Sequence, residues 1–225
     1  VCSSDLASAL APRSVAVIGA SENIHKIGGR PIHYMQRHGY RGTIYPINPA
    51  REEVQGHKSY AGLAALPEVP DLALVVVGGD KTVAAVEACA ELGVKSAVVI
   101  ASGFGETGPE GMELQRHMMA KARAKGMRLY GPNTQGLANF GTGAIAGFST
   151  MFIEVPPMDG PVGIVSQSGG MSAMTYGLLQ IDASLLYALP DHTGPITSAD
   201  MQTDSPYNLY QNAGLPPTPI SNPGL

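Results

Sequence analysis

Five short apolar runs, each closed by small or turn-forming residues, constrain this chain more than any other feature. They are Ser14-Val15-Ala16-Val17-Ile18, Thr43-Ile44-Tyr45-Pro46-Ile47, Leu72-Ala73-Leu74-Val75-Val76-Val77, Ala97-Val98-Val99-Ile100 and Met127-Arg128-Leu129-Tyr130. The third is apolar throughout, as a strand covered on both faces must be. Strands that alternate with helical stretches pair in parallel through right-handed crossovers. The expected fold class is therefore α/β with a parallel sheet.

The intervening stretches carry helix punctuation. Ile27 to His38 has helical period, Pro31 lies in its first turns and marks where the helix is expected to start, and Gly39 follows where a left-handed cap is wanted. Asp80 is expected to cap a helix that presents Val83, Val86 and Ala90 on one face and stops at Gly93. A further helix opens at Pro109, carries Glu110 and Glu113 early and Lys121, Arg123 and Lys125 late, and ends at Gly126. Its charges suit the helix dipole.

The rhythm breaks between Gly136 and Gly147. Pro156-Pro157 and Asp159-Gly160 then read as a linker before a new strand, Pro161-Val162-Gly163-Ile164-Val165, a turn from Ser166 to Gly170, and a helical run through Leu179. From Ile181 lysine and arginine cease and prolines crowd together. That tail is expected to be non-globular. The expected organisation is a lead-in over 1–13, a main domain over 14–147, a linker and the start of a second domain over 148–180, and the atypical tail over 181–225. About 40 residues cannot build a separate α/β layer, so the second domain is expected to be incomplete.

Composition excludes several functions. A net charge of -4 lacks the basic field that nucleic-acid binding uses. No apolar run approaches the roughly 20 residues that span a bilayer, so no membrane partner is expected. Cys2 and Cys89 cannot form a disulfide framework, and Cys89 is expected to be buried and inert, which fits a cytoplasmic location. No two histidines have the i, i+4 spacing of a helical metal site, and no metal is expected.

Chemistry centres on the loop after the first run, GASENIHKIGGR, from Gly19 to Arg30. Small residues there admit a ligand to the backbone, and the next helix N-terminus is expected to offer unpaired N–H groups to a phosphate, with Lys26 and Arg30 adding charge. A dinucleotide fingerprint would need a glycine where Ser21 stands and an acid at the end of the second strand, where Asn48-Pro49 stands. Both departures count against NAD.

The segments GASENIHKIGGR, YPINPAREEVQGHKSY, PDLALVVVGG, VVIASGFGE, RLYGPNTQGLANF and GIVSQSGGMS, in this order, resemble the NDP-forming acyl-CoA synthetases, relatives of the succinyl-CoA synthetase α subunit. The resemblance runs from about Ser14 to Gln180. It implies a Rossmann-like CoA-binding domain followed by the opening of a flavodoxin-like domain, with coenzyme A as ligand and an ATP-grasp domain or subunit as partner. It assigns Gly19, Ala20 and Ser21 to the nucleotide loop that Lys26 also belongs to, Arg51 to the nucleotide end of CoA, with a plain surface-loop arginine as the alternative, Val77 and Gly78 to one strand end in the groove, and Ala101, Ser102 and Gly103 to another. Asn133 would sit near the thiol. Ser166, Ser168, Gly169 and Gly170 match a turn that would cradle a phosphoryl group, and a plain serine cap accounts for them equally well.

In that family the CoA thiol attacks an acyl phosphate, and a histidine ferries the phosphoryl group to and from the nucleotide. That histidine belongs further along the second domain. None of His25, His33, His38, His57, His117 and His192 occupies the motif, so no catalytic residue is assigned and the chain alone is expected to bind CoA without turnover. A stand-alone CoA-binding regulatory module is the alternative, and an NAD(P) oxidoreductase a more distant one.

Overall fold

The computed structural model of the chain describes residues 4–154, 158–160 and 163–180. The fold belongs to the first of two units into which the chain divides, the boundary falling after Thr175. A short helix α1 (Ser4–Leu10) leads into β1 (Ser14–Ile18), α2 (Arg30–Arg37) and β2 (Thr43–Ile47). A small antiparallel hairpin follows, β3 (Glu53–Val54) and β4 (His57–Lys58). Then come β5 (Leu72–Val75), α3 (Asp80–Leu92), β6 (Ser96–Val99), α4 (Pro109–Ala124) and β7 (Arg128–Tyr130). A second hairpin, β8 (Gly136–Asn139) with β9 (Ala144–Gly147), precedes α5 (Met151–Glu154) and α6 (Gly169–Gln180).

Five strands form one all-parallel sheet in the order β2-β1-β5-β6-β7. Period-two alternation divides their side chains between two cores. Ala16, Ile18, Ala73, Val75, Ala97 and Val99 face Val86, Cys89 and Ala90 of α3 and Met118 and Ala122 of α4. Val15, Val17, Leu72, Leu74 and Val98 face Ile32 and Met35 of α2 and Ala146 of β9. Burial pushes the Cys89 thiol up to about 12, so it stays protonated at neutral pH.

Two local expectations need correction, while the start of α2 falls beside Pro31 as expected. Helix α2 starts at Arg30, with Gly29 as its cap: residues 24–28 form turns that close the preceding loop, and Pro31 fits the first helical turn without losing a bond. Gly79, with φ of 62°, caps α3, and Asp80 lies in its first turn, where its charge still complements the dipole. Gly163, Ile164 and Val165 form no strand, and Val165 is fully exposed, because no neighbouring strand is present to pair with them among the described residues. The stretch 136–147, where the strand–helix rhythm breaks, is the β8–β9 hairpin, whose second strand is buried against the sheet face that α2 also covers.

No helix among the described residues is long and apolar enough to cross a membrane. The tail 181–225 lies outside the described residues.

Candidate functional site

Because all five strands run the same way, their C-terminal ends share one edge of the sheet. Reading across the strand order, that edge presents Asn48 and Arg51 after β2, Gly19, Ala20 and Ser21 after β1, Val77 and Gly78 after β5, Ala101, Ser102 and Gly103 after β6, and Asn133 after β7. At roughly 4.8 Å between neighbouring strands, the row spans about 19 Å. The chain leaves β1 toward β2 on one side and reaches β5 on the other, so the crevice of a topological switch point falls between Gly19 and Val77.

Close approach requires glycine here. Gly19 has φ of +92°, and a Cβ on it would stand 2.9 Å from Cγ1 of Val77. A Cβ on Gly28 would stand 2.1 Å from the Gly19 carbonyl oxygen. The loop is tied at both ends: the N–H groups of Gly19 and Ala20 donate to the Ile47 carbonyl at 3.1 and 3.3 Å, and Ser21 N–H donates to the Gly28 carbonyl at 3.1 Å.

Two of the donors expected at the start of α2 are spent inside the loop. Gly29 and Arg30 N–H both donate to the Lys26 carbonyl, Asn23 N–H donates to Oγ of Ser21, and Pro31 has no N–H. Arg30 turns away, donating from Nη1 to the Phe148 carbonyl at 3.1 Å. Lys26 remains exposed and supplies cationic character near the loop.

Asn48 Nδ2 donates to the Ala20 carbonyl at 2.9 Å while its Oδ1 accepts from Ala50 N–H at 2.9 Å. The residue at the end of β2 is thus a backbone tie between its own turn and the loop after β1. Asn48, Arg51, Glu52, Lys58 and Ser59 line a recess of about 670 Å³. Arg51 and Lys58 are exposed and form no ion pair among the described residues, and Lys58 Nζ lies 5.3 Å from the Tyr60 ring centroid.

Farther along the row, Asn133 has φ of 57° and donates its N–H to the Ala101 carbonyl at 2.9 Å, which joins the β6 and β7 ends. Gly103 N–H donates to the Glu106 carboxylate at 2.5 Å, and the backbone donors of Gly103, Glu106 and Phe104 hold that carboxyl below its usual range. Ser102 is exposed. Ser168 caps α6, its Oγ accepting from Met171 N–H at 3.3 Å, and Ser166 Oγ accepts from Ser168 N–H at 3.1 Å. A Cβ on Gly169 would stand 2.5 Å from Nε2 of Gln135, so this turn adjoins the segment that follows Asn133.

Asn48, Gln55, Lys58 and Glu106 were not among the site residues that the sequence suggested. Asn48 and Lys58 stand within segments that carried the resemblance, and the turn dipeptide Gln55-Gly56 was the available signal for the hairpin.

A parallel sheet of this order, with a glycine loop at its switch point and a row of open strand ends, defines a Rossmann-like nucleotide-binding class. Residues 13–139 match the CoA binding domain family, and the chain belongs to it. It is 38% identical over 162 residues to the α subunit of the ADP-forming acetate–CoA ligase II of Pyrococcus furiosus, covering 72% of this chain and 34% of that protein. With the ADP-forming acetate–CoA ligase II of Archaeoglobus fulgidus it shares 35% identity over 165 residues, 73% of this chain and 24% of that one. The structure is similar, at a TM-score of 0.66 and 32% identity, to a dinucleotide-forming acetyl-coenzyme A synthetase of Candidatus Korarchaeum cryptofilum solved with phosphate and ADP, over 78% of this chain and 37% of that chain. The chain thus spans only about a quarter to somewhat over a third of these relatives.

The remaining sequence has a different likeness. Residues 171–225 match the YceG-like family, and 47 residues are 47% identical to the endolytic murein transglycosylase of Bacillus subtilis, covering 21% of this chain and 13% of that protein.

Proposed function

We propose that residues 14–147 bind coenzyme A as the CoA-holding part of an NDP-forming acid–CoA ligase. The observation that carries this reading is the row of strand ends from Arg51 to Asn133, about 19 Å long, with a glycine crevice at its switch point. Such a row suits an elongated ligand with phosphates at one end. In this reading Arg51 and Lys26 meet CoA phosphates, Gly19, Ala20 and Ser21 let the diphosphate approach the sheet, and Val77, Gly78, Ala101, Ser102 and Gly103 line the path of the pantetheine arm. Asn133 stands at the far end, near the thiol.

The whole enzyme's reaction is proposed from the ligases the chain resembles. The CoA thiolate attacks the carbonyl of an acyl phosphate, the thioester forms, and inorganic phosphate leaves. A histidine outside the matched motifs of this chain exchanges phosphoryl groups with a nucleotide bound on an ATP-grasp partner. Within this chain, Ser166, Ser168, Gly169 and Gly170 are proposed to contribute to the phosphoryl site, and their position beside Gln135 supports it. The tail 181–225 has no part in this proposal.

Isothermal titration with CoA, dephospho-CoA and NAD tests the reading. CoA is expected to bind more tightly than dephospho-CoA, and NAD not to compete with it.

A further inference from the structure

Resting on that reading of the glycine loop, we infer that Gln55 is a positioning residue: it clasps the neck of the loop and holds it in its ligand-ready shape. Gln55 and Gly56, with φ of 51° and 79°, form the two-residue turn of the β3–β4 hairpin. A turn with two left-handed residues usually takes Asn or Asp followed by Gly. Glutamine in that conformation is strained, and its side chain accounts for its presence.

Gln55 Nε2 donates to the Ser21 carbonyl at 2.8 Å and to the Gly29 carbonyl at 2.9 Å. These carbonyls stand on the two sides of the loop neck that Ser21 N–H and the Gly28 carbonyl close. One amide nitrogen therefore bridges the strand leaving β1 and the start of α2. Both of its hydrogens are used, so no other side chain of this length without an amide or ammonium donor can replace it.

Main-chain bonds fix where that amide points. Gln55 N–H donates to Oε2 of Glu22, a residue of the loop itself, at 2.7 Å, and Gln36 Nε2 of α2 donates to the Gln55 carbonyl at 2.6 Å. The same Gln36 nitrogen lies 3.0 Å from Nε2 of His57 on β4, which accepts in the neutral ring. On its other side the hairpin runs into Ser59 and Tyr60, and Tyr60 N–H donates to the Pro46 carbonyl of β2 at 2.9 Å. The hairpin is thus anchored to β2, reaches across to the loop after β1, and carries Lys58 into the recess that Arg51 lines. Gln55 joins the loop to the hairpin whose second strand lines the recess.

Two substitutions in the full chain separate this from a merely structural role. Gln55→Gly removes the clasp but favours the left-handed backbone, so the thermal midpoint is expected to hold or rise. Gln55→Glu keeps the side-chain shape and turns two donors into a carboxylate facing two carbonyls. In both, amide hydrogen exchange over residues 22–28 of the ligand-free protein is expected to quicken about ten-fold, and CoA affinity to fall about ten-fold. Unchanged exchange in Gln55→Gly would overturn the inference, as would faster exchange with CoA affinity intact. If the unsubstituted chain fails to bind CoA, quickened exchange still upholds the clasp and the failure falls on the CoA reading alone.

Discussion

Asn48 Nδ2 donates to the carbonyl of Ala20 at 2.9 Å, so the residue that ends β2 is bound to the loop that ends β1. In a dinucleotide-binding protein an acid at the end of this strand would face the ribose hydroxyls. Asn48→Asp would set a carboxylate against the Ala20 carbonyl. It is expected to destabilise the chain by about 1–3 kcal/mol and to create no NAD binding. Chemical denaturation and an NAD titration of the same variant check both halves.

Gly28 tests steric closeness without help from backbone strain. A Cβ there meets the Gly19 carbonyl oxygen at 2.1 Å, and that oxygen belongs to main chain that cannot swing aside. Gly28→Ala is expected to cost about 1–3 kcal/mol and to weaken CoA binding, since relief of the clash must push the loop away from Val77. Thermal unfolding with and without CoA measures it. A variant with wild-type stability and affinity would contradict the crevice as described.

Arg51 is exposed and without an ion-pair partner among the described residues. A charge-assisted bond to a CoA phosphate makes Arg51→Ala weaken CoA by about 1–3 kcal/mol. Dephospho-CoA should lose less than CoA if the bond is to the 3′-phosphate. Equal losses would move the contact to the diphosphate.

Acid stability has a specific source. Asp71 accepts two bonds from the Arg13 guanidinium, at 2.9 and 3.1 Å, and one from Arg13 N–H at 2.9 Å. These bonds hold its carboxyl below the usual carboxylate range. A depressed folded value means the stabilisation is present above the unfolded pKa of about 3.9 and is lost as pH falls through the folded one. Lowering the pH from 5 to 3 should therefore destabilise the wild type more than Asp71→Asn, as followed by denaturant midpoints.

The five strands and the α2, α3 and α4 helices were legible because each is a local pattern: an apolar run, a period, a glycine at the exit. The two hairpins were not. β3 and β4 have two residues each, too few for alternation to register, and their only local mark is the Gln55-Gly56 turn. β8 and β9 are glycine-rich, and their burial comes from the sheet face they cover rather than from their own sequence. The strand expected at 161–165 is the reverse case: residues 161 and 162 lie outside the described residues, and Ile164 and Val165 have the composition of a strand but pair with none among the described residues.

Of the site, the glycine loop and strand ends were readable from motifs, since glycine and small residues at strand exits are fixed by backbone needs. The direction of donors was not. That the amides at the start of α2 turn onto Lys26, that Arg30 points to Phe148, and that Gln55 reaches the loop from 26 residues beyond Gly29 depend on tertiary closure. The change of composition at Ile181 was visible, whereas its likeness to the YceG-like family rests on a match no periodicity argument reaches.

The most direct test of the central claim is a pair of calorimetric titrations of the full chain at one salt concentration, one with CoA and one with NAD. The row of strand ends and the tied Asn48 predict a one-to-one CoA isotherm and no heat from NAD. NAD binding more tightly than CoA would contradict it.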